Sequence, residues 1–226
     1  MKRSQINYAI DKALAMAETF RISLPEFARV TAPCWPQKLK EGWQEIHDLR
    51  LGWDITDFGS GCFNDTGLTL LTLRNGSLSD PRYAKPYAEK MLQIQQDQQT
   101  PWHFHYHKME DIINRGGGNL CMQLAWATED QQLDNQRRVS VAVDGCPRTL
   151  KPGETLVLHP GQSVCLPVRL YHRFWAEKRG VMGWEISMVN DDRTDNRFLD
   201  ADGRFPSIEE DEPARWLLCS EYEQMR

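Results

Sequence analysis

Residues 100–118 of the chain read TPWHFHYHKMEDIINRGGG, and this stretch gives the first indication of both the fold and the chemistry. His103 and His105 are two residues apart, and in a β-strand residues i and i+2 point to the same face of the sheet. An α-helix would turn the two imidazoles away from each other, because residues two apart do not share a helical face. The spacing therefore predicts a strand that directs both imidazoles toward one point.

A carboxylate follows at a distance that allows the chain to bend back toward the same point. Four residues separate Glu110 from His105. Two imidazoles and one carboxylate form a ligand set that suits Mn, Fe, Co, Ni or Zn. We therefore predict a metal site that includes His103, His105 and Glu110. The alternative is a group of ordinary surface or partly buried histidines.

The fourth protein ligand of such a site has three candidates elsewhere in the chain. His172 lies in the run LYHRF, which is typical of a strand. His159 precedes Pro160 and Gly161 and is expected in a turn, and His47 lies in a polar, weakly patterned segment. His172 is therefore the preferred fourth ligand.

Composition and charge exclude several classes of protein. The chain has 226 residues, 40% of them hydrophobic, and eight tryptophans, which is enough for one β-rich domain or two small ones. A net charge of −5 argues against a general binder of nucleic acid or anionic membrane. No apolar run approaches the ~20 residues of a membrane helix, and the N-terminus lacks the apolar segment of a signal peptide, so we expect a cytoplasmic protein.

Helical periodicity is strongest near the N-terminus. Ser4 can cap a helix that ends near Phe20, and Pro25 can open a second short helix. We expect residues 1–30 to form a helical arm packed outside a larger body, and residues 31–42 to form a loop.

Short apolar runs separated by turn residues dominate the chain from residue 44 onward. Asn75-Gly76 and residues 177–180 predict hairpin turns, and the glycines at 116–118 predict a turn rather than a phosphate-binding loop. The acidic residues 190–213 predict a long loop or lid, and no domain boundary is visible within residues 1–226. This pattern favours an all-β antiparallel sandwich or barrel. The predicted strands cover residues 68–73, 91–95, 119–127, 137–143, 155–158, 164–176 and 181–189.

The metal-ligand spacing resembles a known superfamily. His103-x-His105-x4-Glu110-x6-Gly117 resembles the first metal motif of the cupins, and Gly153, Pro160-Gly161 and His172 resemble the second. The resemblance implies a single cupin-type antiparallel β-barrel of jelly-roll type.

Within the cupins, the chain resembles the D-lyxose isomerases nearly end to end. The resemblance implies a cytoplasmic homodimer with one divalent metal ion per chain, most often Mn²⁺, with Zn²⁺, Co²⁺ or Fe²⁺ as alternatives. It also implies interconversion of D-lyxose and D-xylulose, with D-mannose and D-fructose as a second pair. The stretches that carry it are residues 99–101, 103–105, 108–118, 158–161, 171–172 and 185–192.

Isomerisation of an aldose to a ketose moves a proton between C2 and C1, so the site needs a group that removes and returns it. Glu185 and Lys108 are the candidates, with Glu110 as a further one acting from the metal. If residues 177–180 close a symmetric hairpin, Glu185 lies directly opposite His172, with the two Cβ atoms about 5 Å apart.

Three further charged residues, Lys90, Asp195 and Arg197, are candidate contacts for sugar hydroxyls. For each of them the alternative is an ordinary surface charge.

Two other functions remain open at this stage. A cupin dioxygenase uses a similar ligand set with iron and consumes oxygen. A non-enzymatic sugar-binding cupin keeps the barrel but can lose a ligand. The sequence leaves open the metal, the preferred sugar and the oligomeric state.

Overall fold

The computed structural model describes residues 1–200 and 207–225, which form three α-helices, four short 3₁₀ turns and an 11-stranded sheet. The helices are α1 (Arg3–Thr19), α2 (Trp35–Lys40) and α3 (Gln44–Asp48). The strands are β1 (Gly52–Thr56), β2 (Leu68–Arg74), β3 (Tyr87–Ile94), β4 (His103–His105), β5 (Glu110–Trp126), β6 (Val139–Val143), β7 (Cys146–Leu150), β8 (Thr155–Leu158), β9 (Ser163–Leu166), β10 (Leu170–Met188) and β11 (Asn196–Phe198).

Every described pair of strands in the sheet is antiparallel. The hydrogen-bonded order is β1-β2-β3-β10-β5-β9-β6-β7, with β8 on β5, β4 on β10 and β11 on β4. Within the described residues this order is open, because β1 and β7 end it without pairing to each other. The predicted all-β, cupin-type jelly-roll fold with helices outside is confirmed, although the sheet is rolled rather than closed. No described helix combines the length and the apolar character that a membrane crossing requires.

Two of the three hydrophobic cores among the described residues lie on opposite faces of the sheet, and the alternation of the strands separates them. Leu70 and Leu92 belong to the inner core, which the rolled sheet encloses. Their neighbours Leu71 and Met91 belong to the outer core, which α1 covers with its apolar face. Successive side chains of a strand point to opposite faces, so β2 and β3 contribute to both cores. Full burial of one such side chain stabilises the fold by about 1.5–3 kcal/mol.

The N-terminal arm follows the predicted periodicity. Helix α1 ends at Thr19, next to the predicted end at Phe20, and Pro25 immediately precedes a 3₁₀ turn at Glu26–Arg29. The predicted cap is wrong: Lys2 is the N-cap, and the Ser4 hydroxyl instead donates to Asp211 Oδ2 at 2.7 Å.

The predicted loop over residues 31–42 is wrong, and the strands predicted from residue 44 onward begin only at Gly52. Ala32–Cys34 forms a 3₁₀ turn, and α2 and α3 follow it. Pro33 and Pro36 each lie in the first turn of a helical segment, where the missing N–H has no intrahelical partner to lose. These prolines therefore start helical segments that the sequence analysis interpreted as loop.

The predicted tight hairpin at Asn75-Gly76 is also wrong. Residues 75–86 form a longer connection between β2 and β3, with a 3₁₀ turn at Pro81–Tyr83. The Asn75 side chain accepts from the Asn190 N–H at 3.0 Å and donates to the Asn190 carbonyl at 3.0 Å. Asn75 therefore anchors residue 190 instead of forming a two-residue turn.

The predicted turns at residues 116–118 and 177–180 are replaced by two long, paired strands. β5 continues through the glycines, and β10 continues through residues 177–180, with register shifts between Glu177 and Val181 and between Met182 and Gly183. Such irregularities bend a strand without ending it. His172 and Glu185 consequently lie far apart on the same strand and do not face each other across a hairpin.

The acidic segment is only partly a loop. Asn196–Phe198 forms β11, which pairs with β4, and Glu209–Asp211 contacts the start of α1. Residues 201–206 of the predicted lid lie outside the described residues.

Candidate metal centre and active site

Three histidines converge at the edge where β4 lies between β10 and β11. His103 pairs directly with His172 across β4 and β10, and His105 follows two residues along β4 on the same face. One ring nitrogen from each of the three lies within 4.8 Å of the others. The sheet therefore forms the cluster from one local spacing, His-x-His, and one long-range strand pair.

The hydrogen bonds of two imidazoles define which nitrogen faces the cluster. His103 Nδ1 lies 2.9 Å from the Pro101 carbonyl and His172 Nδ1 lies 3.0 Å from the Leu170 carbonyl. A carbonyl can only accept, so each Nδ1 carries the hydrogen, and in the neutral form of such a ring Nε2 keeps its lone pair. His172 Nε2 is buried and receives no hydrogen bond among the described residues, since Glu110 Oε1, 3.1 Å away, is itself an acceptor. A buried nitrogen with a free lone pair, oriented by its other nitrogen, fits a metal ligand.

Glu110 completes the predicted ligand group. Its Oε1 lies 3.1 Å from His172 Nε2 and its Oε2 lies 3.3 Å from His105 Nε2. Three imidazoles and one carboxylate suit Mn, Fe, Co or Zn. The other histidines lie elsewhere: His47 is in α3 beside Asp48, and His159 and His107 are exposed.

The protonation states of the cluster also suit metal binding. Burial and the neighbouring imidazoles of His172 and His105 hold the pKa of His103 well below its usual value. Burial, followed by the charge of Lys108, lowers the pKa of His105. Neutral imidazoles are the form that binds a metal.

A charge network of two lysines and two glutamates adjoins the histidines. Lys108 Nζ lies 2.9 Å from Glu110 Oε2 and 2.7 Å from Glu185 Oε1. Lys90, the register partner of Glu185 on β3, places its Nζ 3.4 Å from the same Oε1. All four side chains are at most 7% exposed. Such burial requires each charge to be paired, and each has an opposite charge within ion-pair distance.

The network keeps Lys108, Glu110 and Glu185 ionised. Burial opposes the charge of Lys108, but Glu110 and Glu185 outweigh it and raise the pKa of the ammonium group. Burial likewise opposes the charge of Glu185, but Lys108 and Lys90 outweigh it and lower the pKa of this carboxyl group. Lys108 and His105 hold the pKa of Glu110 well below its usual value against the effect of burial.

The rolled sheet, rather than a hairpin, brings Glu185 close to the histidines. Glu110 pairs with Ser187 at one end of the ribbon formed by β5 and β10, whereas its carboxylate contacts His172 near the other end. The ribbon must therefore fold back on itself. This folding of the ribbon brings Glu185 near the metal-ligand group, where Lys108 contacts both Glu185 and Glu110.

A cavity adjoins the cluster, and its lining separates the predicted site residues into two groups. Lys90, Lys108 and Glu185 line it, whereas Asp195 and Arg197 are not among its described lining residues. The sequence analysis did not single out the polar lining residues Thr100, Asp192 and Asn196. Asp192 is the last residue of the stretch 185–192, which carries the family resemblance. That resemblance was the sequence signal that could have identified Asp192 as a site residue. The apolar wall consists of Phe58, Leu68, Leu70, Leu92, Ile112, Phe174 and Phe198.

Asp195 and Arg197 contact protein groups beside the cavity. The two oxygens of Asp195 accept from the backbone N–H groups of His107 and Lys108. Arg197 pairs in register with Phe104, between the two histidines of β4, so its side chain points away from theirs. Its Nε donates to Gln131 Oε1 at 3.0 Å.

Comparisons with known proteins identify the family of this chain. The sequence model of the D-lyxose isomerase family matches residues 1–222. A D-lyxose/D-mannose isomerase of Serratia proteamaculans is 47% identical over 224 residues, which cover 98% of each chain. A D-lyxose/D-mannose isomerase of Escherichia coli O157:H7 is 46% identical over 228 residues, which cover 100% of each chain.

Two solved structures with a similar fold are L-ribose isomerases. The L-ribose isomerase of Cellulomonas parahominis aligns with a TM-score of 0.59 at 13% identity, covering 92% of this chain and 98% of that one. The L-ribose isomerase of Geodermatophilus obscurus aligns with a TM-score of 0.56 at 13% identity and the same coverage. At this identity the likeness concerns the fold alone. The full-length family match and the two close relatives show that the chain belongs to the D-lyxose isomerase family.

Proposed function

We propose that this protein is a metal-dependent aldose–ketose isomerase that interconverts D-lyxose and D-xylulose, with D-mannose and D-fructose as a second pair. The observation that carries the proposal is the buried contact between Lys108 Nζ and Glu185 Oε1, 2.7 Å long, beside three convergent histidines. It combines a base, a fixed positive charge and a set of metal ligands in one cavity. The choice of D-lyxose and D-mannose as substrates follows the names of the two close relatives.

His103, His105, Glu110 and His172 would hold one divalent ion per chain. We take Mn²⁺ as the ion in the cell, with Zn²⁺, Co²⁺ and Fe²⁺ as alternatives that the same donors accept. When bound, the ion supplies Lewis-acid polarisation of the sugar carbonyl and stabilises the negative charge that develops on its oxygen.

Glu185 is the proposed base. Its lowered pKa makes it a carboxylate at neutral pH, which is the form that accepts a proton. It removes the proton from C2 of the aldose, the C–H electrons form the C1=C2 double bond, and O1 gains a proton to give a cis-enediol. Loss of the O2 proton and return of a proton to C1 then give the ketose.

Lys108 and Lys90 position the Glu185 carboxylate, and Lys108 also stabilises the negative charge that develops on the sugar oxygen. Both ammonium groups contact Glu185 Oε1, as does the Ser187 hydroxyl at 2.9 Å. These contacts fix the direction of the carboxylate and leave the protonated Lys108 to donate to a sugar oxygen. Lys90, whose Nζ lies 2.5 Å from Asn190 Oδ1, is the proposed contact for a sugar hydroxyl, together with Asp192 and Asn196.

The test of function is a substrate panel. The Mn²⁺-loaded protein is incubated with a set of aldoses, and ketose is measured together with oxygen uptake. We expect ketose from D-lyxose and D-mannose without oxygen uptake, and in heavy water the product should carry deuterium at the carbon that receives the proton. Oxygen consumption would instead indicate a dioxygenase, and sugar binding without ketose would indicate a binding protein.

The proposal includes a cytoplasmic homodimer. Supporting the dimer, four large apolar side chains are exposed close together on the outer face of β3 and β10 and at Met109, the residue before β5. Tyr87 pairs in register with Met188, whose N–H donates to the Met109 carbonyl, and Ile186 lies on the same face. Light scattering at several protein concentrations measures the oligomeric state, and a monomer at every concentration would contradict this part of the proposal.

A further inference from the structure

Asp195 holds the turn that joins the metal-ligand strand β4 to β5. Its Oδ1 accepts from the His107 N–H at 2.7 Å, its Oδ2 accepts from the Lys108 N–H at 3.0 Å, and its carbonyl accepts from the Tyr106 N–H at 3.2 Å. Three successive N–H groups are thus bound to one residue. Asp195 is only 5% exposed, so these bonds are largely shielded from water.

The turn that Asp195 binds carries Lys108 toward the reacting groups. Lys108 is one of the residues whose N–H group Asp195 binds. Its Nζ lies 2.9 Å from Glu110 Oε2 and 2.7 Å from Glu185 Oε1. The same turn separates the ligands His105 and Glu110. A displacement of this backbone would therefore move the ammonium group relative to the base.

Asp195 is itself fixed by the segment on either side, residues 190–198, which we call the strap. Asn190 is bound to Asn75, and β11 at the other end pairs with β4. Between these anchors, the Asp195 N–H donates to the Asp191 carbonyl at 3.1 Å. The strap therefore holds Asp195 at both ends.

We propose that Asp195 is a positioning residue, which sets the place of the Lys108 ammonium group between Glu110 and Glu185 by binding the backbone of residues 106–108. The inference rests on the proposed isomerase function and deepens it. It also reassigns a residue that the sequence analysis considered as a sugar contact.

The argument for a carboxylate at this position is one of donors and acceptors. Two N–H groups point at two oxygens, and only a carboxylate presents two acceptors there. An asparagine would place an NH₂ group against one of the N–H groups and leave it unsatisfied, which favours a shift of the turn. A shift of about 1 Å in a positioned group can lower turnover by ~10²-fold.

The first experiment compares Asp195→Asn with Thr194→Ala, a control on the strap. Thr194 is exposed, and its hydroxyl donates to the Asp191 side chain at 2.6 Å. For Asp195→Asn we expect kcat to fall by roughly 10–100-fold, with unchanged metal content, a KM for D-lyxose that stays within about threefold, and a larger isotope effect with C2-deuterated sugar. Thr194→Ala should keep the wild-type values.

The second experiment asks whether Asp195 acts through Lys108. Asp195→Asn is combined with Lys108→Met, and both single variants are measured beside the double variant. If Asp195 serves only to place Lys108, its substitution lowers kcat no further once the ammonium group is gone. A multiplicative loss in the double variant would overturn the inference, because it would show support of the site as a whole.

Two further measurements keep the test independent of folding and of turnover. Asp195→Glu retains both acceptors and should recover part of the lost kcat. Amide hydrogen exchange at His107 and Lys108 should become faster in Asp195→Asn, while exchange in the core of β5 stays unchanged.

The possible failures are distinguishable. Wild-type kcat and unchanged exchange in Asp195→Asn would overturn the inference, as would a large rise in KM with unchanged kcat, which indicates a sugar contact. A wild-type protein that forms no ketose from any aldose would instead contradict the proposed function, and unchanged exchange at residues 107 and 108 would then separately overturn the positioning role.

Discussion

At the scale of single residues, the site depends on buried charges that balance each other. Lys90 and Lys108 carry two positive charges, and Glu110 and Glu185 carry two negative ones, within one set of contacts. Removing one member leaves an uncompensated buried charge, which costs about 3–5 kcal/mol of stability. Variants that keep the shape of a side chain are therefore more informative than truncations.

Glu185→Gln tests the proposed base. The amide keeps the size of the side chain and an oxygen that can accept from Lys108 and Ser187, but it has almost no basicity. We expect turnover to fall by about 10²–10⁴-fold, the range for a positioned general base, with full metal content. Steady-state kinetics and elemental analysis measure the two quantities. Near-normal turnover would transfer the role to Lys108 or to Glu110.

His172→Ala tests the fourth ligand. Because His172 Nε2 is buried beside Glu110 Oε1 and receives no hydrogen bond among the described residues, its loss should lower metal content and activity together. His159→Ala is the matched control, since His159 is exposed and bonded to Asn119 outside the site. Elemental analysis of both variants checks the prediction. Full metal occupancy in His172→Ala would exclude it as a required ligand.

At the scale of elements, the bend in the ribbon of β5 and β10 determines which groups meet. Gly117 has a φ of +100°, a region that side chains rarely adopt, and it faces the irregular part of β10 near Gly180. Without this bend the two strands would run straight, and Glu110 could not contact His172. The glycines thus act in the middle of a strand, not at a turn.

Gly117→Ala tests the bend. In the left-handed conformation alanine lowers the stability of the fold by about 1–2 kcal/mol relative to glycine. Its Cβ would also collide with the Gly180 carbonyl oxygen. Gly145→Ala is the control, because Gly145 has a φ of +77° but nothing within 4 Å of its Cβ position. Urea unfolding should show a larger loss for Gly117→Ala, together with a loss of activity. Equal losses of stability would show that the close approach is unimportant.

At the scale of the whole molecule, the N-terminal helix and the C-terminal segment hold each other on the outer face of the sheet. Arg3 is 1% exposed and forms ion pairs with Glu210, at 2.6 Å, and with Glu221. The Met1 carbonyl accepts from the Glu209 N–H at 2.8 Å. The two ends of the chain therefore contribute to one outer core rather than forming a separate arm.

Arg3→Met tests this association. The substitution keeps much of the length and leaves two carboxylates without their cation. Glu210 is 58% exposed and can return to water, so we expect a loss of about 1–3 kcal/mol, less than for a fully buried pair. Arg29→Met is the control, since its pair with Glu18 is exposed and should contribute about 0–1 kcal/mol. Similar values for the two variants in urea unfolding would contradict the prediction.

The sequence by itself determined the features that depend on local geometry. The His103-x-His105 pair faces one way because the period of a strand is two residues, and α1 presents one apolar stripe because the period of a helix is 3.6. The alternating apolar runs predicted an antiparallel fold, and the full-length resemblance identified the family. The members of the site, Lys90, Lys108, Glu110 and Glu185, could all be named in this way.

Only the tertiary structure decided how distant segments meet. The pairing of His172 with His103, the fold of the ribbon that brings Glu185 to Lys108, and the direction of Arg197 away from the cavity all depend on strand register. A local signal such as Gly-Gly-Gly or Asn-Gly gives the backbone freedom but does not say whether the chain turns or bends. Asp195 shows the same limit, since a carboxylate looks alike in sequence whether it binds a sugar or the backbone of a neighbouring turn. The choice depends on contacts between residues far apart in the chain, which form only when the whole sheet is assembled.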